Sequence, residues 1–351
     1  MPRALTAVFR VDASVETGGG HVRRCIVLAK SLMRDGWSVH FASSPDTAKI
    51  VPSSRTSGIE MIPADNTRNA AGALRDVMPG GCDLLVVDHY GLDEKFERTC
   101  RPWARRILVI DDLADRRHDC DVLVDQSPGR LATDYWPLVP PDCIVLAGSV
   151  YALLDERFAG ARARASRRDG AVRRILVSLG ATDPKGATLH VLAALKRMKP
   201  GIPVDVVLGA CSPHQIDVHA AAKLLVPPAE SYVEVDDMAA LIERADLAIG
   251  AGGVSALERC CLGVPSLLVV LAENQQRNAA ALEKMGAAAI VDEARVRNID
   301  AFADSIHGLL HDRVRLAAMS VAAAKVTDGL GTMRVQRCCY PPSLSAAHVQ
   351  N

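Results

Sequence analysis

The residues best suited to proton transfer and anion binding stand directly after short apolar runs. Arg10-Val11-Asp12 closes the first such run, and Gly18-Gly19-Gly20-His21 follows it. A glycine turn lets backbone amides, here about Gly20, approach a ligand. The pattern G-x-G-x-x-G is absent, so the turn is not a dinucleotide fingerprint. A histidine in the first turn of a helix meets the positive end of the helix dipole, which disfavours the imidazolium. His21 would then be a neutral base, and a capping or core histidine fits the same position. Asp88-His89-Tyr90-Gly91 ends another apolar run, where Tyr90 would stand at the rim of a sheet; a strand-end turn is the alternative. Asp111-Asp112 is a third strand-end group. With no further ligands beside it, this acid pair suits hydrogen bonding better than a metal. In the second half, Gly250-Ala251-Gly252-Gly253 precedes a helix carrying Ser255 and Glu258. Glycines at a helix start offer amides to a phosphate, and a glutamate one turn later can accept from ribose hydroxyls. Gly180 and Thr182 form a similar turn, and both turns could converge on one diphosphate. Glycines needed only for tight turns are the alternative. Asn274 and Gln275 carry amides suited to sugar hydroxyl or acetamido groups, or to a helix cap.

The elements that must hold these residues alternate between strand and helix. Strands are expected at Ala7–Val11, Ser38–Ala42, Leu84–Asp88, Ile107–Ile110, Val122–Val124 and Ile144–Leu146. Several are continuous Val/Ile/Leu runs, as in parallel strands buried on both faces. The alternation restarts at Ile175–Leu179 and continues through Val204–Leu208, Leu247–Gly250, Ser266–Val270 and Ala288–Val291. The stretch RFAGARARASRRDGAVRR reads as a solvated connection. The expected organisation is an α/β protein of two Rossmann-like, doubly wound domains with a cleft between them. Residues 1–156 form the first domain, 157–173 the linker, 174–336 the second domain and 337–351 a poorly ordered tail.

Composition narrows the partners. The 351 residues hold 41 basic and 41 acidic side chains, which argues against a nucleic-acid binder or a membrane-surface protein relying on a basic field. No apolar stretch reaches the roughly 18 residues a membrane span needs. The N-terminus has no signal h-region. Ten cysteines with no C-x-x-C pair read as reduced thiols, and the expectation is a cytoplasmic protein with neither metal nor cofactor. No feature of the sequence sets the oligomeric state.

The run RVDASVETGGGHVRRCIVLAKSL resembles the start of the PseG-type UDP-sugar hydrolases of pseudaminic acid biosynthesis. The likeness continues through VVDHYG, VIDDLADRRHDCDVLVDQ, YALLDERF, SLGATDPKG, GAGGVSALERCCLGVPSLLVV and ENQ, over about residues 7 to 290. It implies a GT-B-like architecture, with UDP held mainly by the C-terminal domain. It also implies hydrolysis of UDP-2,4-diacetamido-2,4,6-trideoxy-β-L-altropyranose to UDP and the free sugar. The family's base falls on His21, its nucleotide-binding turn and acid on Gly252, Gly253 and Glu258, and its phosphate-side turn on Gly180 to Asp183. Ala181 replaces that turn's second glycine, and Asp155 stands where the family often has arginine. The second half's glycine–glutamate pattern is shared with UDP-sugar glycosyltransferases, so transfer to an acceptor is the nearest alternative. A nucleotide-sugar-binding protein without turnover is the alternative of another class.

Overall fold

The computed structural model describes residues 4–14, 18–64 and 70–340, without the side chains of 55, 56, 70 and 274. The chain divides into two compact units. The first runs to Leu154 and is completed by the segment from Leu330 on; the second is Asp155–Gly329.

The first unit holds β1 (Thr6–Val11), β2 (Ser38–Ser43), β3 (Glu60–Pro63), β4 (Leu84–Asp88), β5 (Ile107–Ile110), β6 (Val122–Asp125) and β7 (Ile144–Ala147). They form one sheet in the order β3-β2-β1-β4-β5-β6-β7, with every pair parallel. The second unit holds β8 (Ile175–Ser178), β9 (Val204–Leu208), β10 (Glu230–Val233), β11 (Leu247–Ala251), β12 (Ser266–Val269) and β13 (Ala288–Val291). Their order is β10-β9-β8-β11-β12-β13, again all parallel. Both are doubly wound sheets, as expected. Each order reverses once, between β1 and β4 and between β8 and β11. Ligands of such sheets bind outside the carboxyl ends of the strands at that reversal.

The cores explain which strands sequence pattern finds. β4, β5, β6, β9 and β11 are buried at every position. The two strands missing from the expectation, β3 and β10, are edge strands. Their sequences, EMIP and ESYV, are largely exposed and carry no apolar run.

The organisation differs from expectation at three places. The arginine-rich stretch is not a solvated linker. Glu156–Arg164 is a helix of the second unit. Arg162 donates to the carbonyls of Cys261 and Ala324, both at 2.7 Å. Arg168 donates to those of Glu243, Ala245 and Leu262 at 2.5–3.0 Å. These carbonyls end the helices Met238–Glu243, Ser255–Cys261 and Arg313–Ala323. Helix C-termini leave carbonyls without partners, and cations there satisfy both hydrogen bonding and the dipole.

The last helix, Gly331–Arg337, returns to the first unit. Thr332 Oγ1 donates to Leu154 O at 2.8 Å, and Gln336 donates to Ser31 O and Asp35. A Cβ on Gly331 would stand 2.3 Å from Ala152 O, so glycine is required for this approach. The expected tail is also packed at its start. Tyr340 meets Trp37 edge-on at 5.4 Å and donates to Asp35, and Cys339 is buried. Residues 341–351 lie outside the described residues.

Candidate active site

The helix Gly20–Arg34 follows β1 and starts from Gly19 with no side-chain cap and no acid in its first turn. His21 and Arg24, three residues apart, therefore share a helix face. Across the switch point, Val11 of β1 lies opposite Asp88, the last residue of β4. Strand order thus joins two constellations that sequence reading keeps apart.

His21 Nδ1 lies 2.5 Å from Asp88 Oδ1. Arg24 grips the same carboxylate with two nitrogens, Nη2 to Oδ1 and Nε to Oδ2, each at 2.7 Å. Its Nη1 reaches Asp112 Oδ2 at 3.0 Å, and Tyr90 OH donates to Asp112 Oδ1 at 2.9 Å. The Tyr90 ring meets His21 edge-on at 4.7 Å. Burial alone would raise the Asp88 pKa, but the Arg24 charge, with the hydrogen bonds from Arg24 and His21, outweighs it and holds the carboxyl well below its usual range. Burial also works against the Arg24 cation, and Asp88 more than offsets it, so the guanidinium stays charged.

These distances fix a tautomer. Two bare acceptors do not sit 2.5 Å apart, so an ionised Asp88 requires the proton on His21 Nδ1. Arg24 Nη2, 3.0 Å from Nδ1, is then a neighbouring donor whose hydrogen goes to Asp88. Nε2 is left as the basic nitrogen, the arrangement by which a carboxylate orients a catalytic imidazole. Among the described residues Nε2 has no hydrogen-bond partner, and His21 keeps 8 % of its surface exposed.

The other expected residues lie at strand ends or on the helices that follow them, each within its own unit. Asp12 accepts from Ser44 N at 2.6 Å and Arg10 Nη2 at 2.9 Å, and His89 Nε2 stands 3.4 Å away. Burial opposes its ionisation, but His89 and Arg10 pull its carboxyl well below the usual range. Asp12 thus ties loops together. Gly20 opens the His21 helix. In the second unit, Gly180 takes φ +102°. The helix that follows is already capped, because Asp183 accepts from Ala187 N and Thr188 N at 2.8 and 2.9 Å. Its first amides are therefore taken, which leaves the Gly180–Thr182 backbone as the available part of this turn. Ser178, ending β8, pairs with Gly250 of β11, so the two glycine turns are neighbours. Gly252 lies against Gln275: a Cβ there would stand 3.4 Å from Gln275 O. Gly253 faces open space. Ser255 and Glu258 are half-buried. Gln275 Oε1 already accepts from Leu271 N at 3.2 Å, leaving its NH₂ group and the second lone pair of Oε1 for a ligand. The Asn274 side chain lies outside the described residues.

Sequence reading missed Arg24 and Arg259. The three-residue spacing of Arg24 from His21 signals a shared helix face but not that the arginine is buried. Arg259 is 1 % exposed beneath the glycine turn. It donates to Ala251 O at 2.6 Å, Ser255 Oγ at 3.3 Å and Ser266 Oγ at 3.2 Å. Asp112 has the hydrogen-bonding role expected of it. Among the described residues, no three His, Cys, Asp or Glu side chains are grouped to hold a metal ion, and no helix is long and apolar enough to cross a membrane.

Residues 210–332 match the Glycosyltransferase family 28 C-terminal domain. The chain is 28% identical over 282 residues to the spore coat polysaccharide biosynthesis protein SpsG of Bacillus subtilis, covering 79% of this chain and 80% of that protein. It is 25% identical over 285 residues to the UDP-2,4-diacetamido-2,4,6-trideoxy-beta-L-altropyranose hydrolase of Campylobacter jejuni, covering 80% and 97%. Among solved structures, MurG of Acinetobacter baumannii superposes with a TM-score of 0.65 at 17% identity, over 95% of this chain and 99% of that one, a likeness of fold. This chain thus has a GT-B-like fold, its residues 210–332 are similar to the glycosyltransferase family 28 C-terminal domain, and about four fifths of it is distantly similar to SpsG and to the Campylobacter hydrolase.

Proposed function

We propose that the protein hydrolyses a UDP-activated diacetamido-trideoxy-hexose, UDP-2,4-diacetamido-2,4,6-trideoxy-β-L-altropyranose, to UDP and the free sugar. The observation that carries this reading is the His21–Asp88 pair, which leaves a basic Nε2 at the switch point of the first sheet. The Campylobacter hydrolase, matched over nearly its whole length, supports the substrate class.

In this reading His21 Nε2 takes a proton from water as the water oxygen bonds to the anomeric carbon. The bond from that carbon to the UDP oxygen breaks, and its electron pair leaves with UDP. Such a base supplies about 10²–10⁴-fold, roughly 3–5 kcal/mol of barrier. The turn at Gly252-Gly253, with Arg259 beneath it, takes the diphosphate together with Gly180 and Thr182. Glu258 accepts from the ribose hydroxyls, Ser255 supports the turn, and Asn274 and Gln275 meet the sugar. Charge building on UDP then falls on amides and a buried cation, so a strong general acid is unnecessary.

Product analysis in ¹⁸O-labelled water tests the proposal. Label in the free sugar, inverted at the anomeric centre and absent from UDP, is the expected result. Label in the UDP phosphate means attack at phosphorus. UDP released only when an acceptor is added, with the sugar bonded to that acceptor, means glycosyl transfer, the reaction that the matched C-terminal domain's name suggests. Either outcome overturns the proposal.

A further inference from the structure

We infer that Arg24 is a positioning residue that decides which nitrogen of His21 is basic, by keeping Asp88 ionised and aimed at Nδ1. The inference rests on the proposed role of His21 and extends it to residues that touch no substrate.

Asp88 is 1 % exposed and ends a strand whose other members are Leu84, Leu85, Val86 and Val87. A lone carboxyl in such surroundings takes up a proton. Protonated Asp88 would donate to Nδ1, moving the ring proton to Nε2 and removing the basic nitrogen that the reaction needs. Arg24 prevents this through its two bonds to the carboxylate. The bidentate grip also fixes the carboxylate plane, so that Oδ1 receives both Arg24 Nη2 and His21 Nδ1. Arg24 is itself held, because its Nη1 is occupied by Asp112, whose other oxygen accepts from Tyr90. The chain Tyr90–Asp112–Arg24–Asp88 thus closes around the imidazole.

The group next to Nδ1 is therefore a clamp of charge and geometry, and the two parts separate by substitution. Arg24→Lys keeps a cation but not the fork. Arg24→Met removes both. The tautomer is read directly from ¹⁵N shifts of the His21 ring, alongside kcat with the UDP-sugar and UDP affinity by calorimetry. Wild-type protein is expected to show a single tautomer protonated at Nδ1. Arg24→Met should shift the population towards Nε2–H and lower kcat by about 10- to 100-fold, with UDP affinity within about two-fold of wild type. Arg24→Lys should recover part of both readouts. If Arg24→Met does not fold, Arg24→Lys carries the test: a wild-type tautomer and kcat in that variant would show that the fork is not needed. A wild-type tautomer in folded Arg24→Met overturns the inference. His21→Leu separates the two readings. If that variant retains activity, His21 is not the base, while a tautomer shift in Arg24→Met still stands.

Discussion

Two arginines, one in each unit, are buried on the helix that follows a glycine turn, and they are treated in opposite ways. Arg24 is surrounded by Asp88 and Asp112, and its pKa stays above the ordinary value although burial pulls it down. Arg259 is equally buried but has two serine hydroxyls and one carbonyl for partners. Burial pushes its pKa down to about 10, with Cys260 and Glu258 only partly opposing. In the first unit the charge is balanced within the protein, and the result is a fixed geometry around His21. In the second unit no carboxylate among the described residues is bonded to the buried charge, and a positive potential remains under the Gly250–Gly253 turn. The first arrangement suits a residue that must hold still. The second suits a surface that receives an anion.

Removing the balance in the first unit should have the largest effect. Asp88→Ala leaves Arg24 buried without its main partner, and breaking such a pair costs about 3–5 kcal/mol. Denaturant unfolding should show that loss. Asp88 also shapes the acid limb of stability. Its folded pKa is depressed, so its contribution is present above the unfolded value of about 3.9 and disappears as pH falls through that value towards the folded one. Asp88→Asn should flatten the loss of stability below about pH 4 relative to wild type. Equal acid slopes for the two proteins would mean that Asp88 is not held ionised in the fold.

The second unit should respond through its ligand. Arg259→Met removes a cation with no carboxylate to strand, so unfolding free energy should fall only by the hydrogen bonds lost, about 1–3 kcal/mol. UDP affinity should fall by about 10-fold or more as the potential under the turn disappears. Glu258→Ala should weaken UDP by a similar amount, about 1.5–3 kcal/mol, through the ribose. Unaltered UDP binding in Arg259→Met would break the comparison, since the cation would then be a structural brace alone.

Much of the fold was legible because buried parallel strands announce themselves as apolar runs. Leu84–Asp88 and Val204–Leu208 coincide with the elements read from sequence. β3 and β10 escaped because edge strands need no such run. The site was legible as separate strand-end groups. What joined His21 to Asp88 was strand order, and a sequence does not print which strands are neighbours. Arg24 was hidden for another reason. An arginine in a helix reads as a solvent-facing charge until its carboxylates, 64 and 88 residues away, are placed beside it. The same bias turned the 157–173 segment into a solvated linker, although Arg162 and Arg168 close three helix ends.

That segment gives the smallest test, in which neighbouring arginines should differ. Arg173 bonds Asp169 at 2.7 Å, and both side chains are mostly exposed, 65% and 60%. Water screens such a pair, and removing it leaves nothing buried without a partner. Arg173→Ala should leave Tm unchanged. Arg168 is half-buried and, among the described residues, donates to carbonyls alone, those of Ile242, Glu243, Ala245 and Leu262. Burial lowers its pKa, and Asp246 and Glu243 offset this only in part. Arg168→Ala would leave helix-end carbonyls without donors, at about 1–2 kcal/mol after partial hydration. A lower Tm in Arg168→Ala than in Arg173→Ala is the expected order. Equal melting would show that water replaces Arg168 at the helix ends, and that neutral acceptors around a buried guanidinium are less binding than the contrast between Arg24 and Arg259 requires.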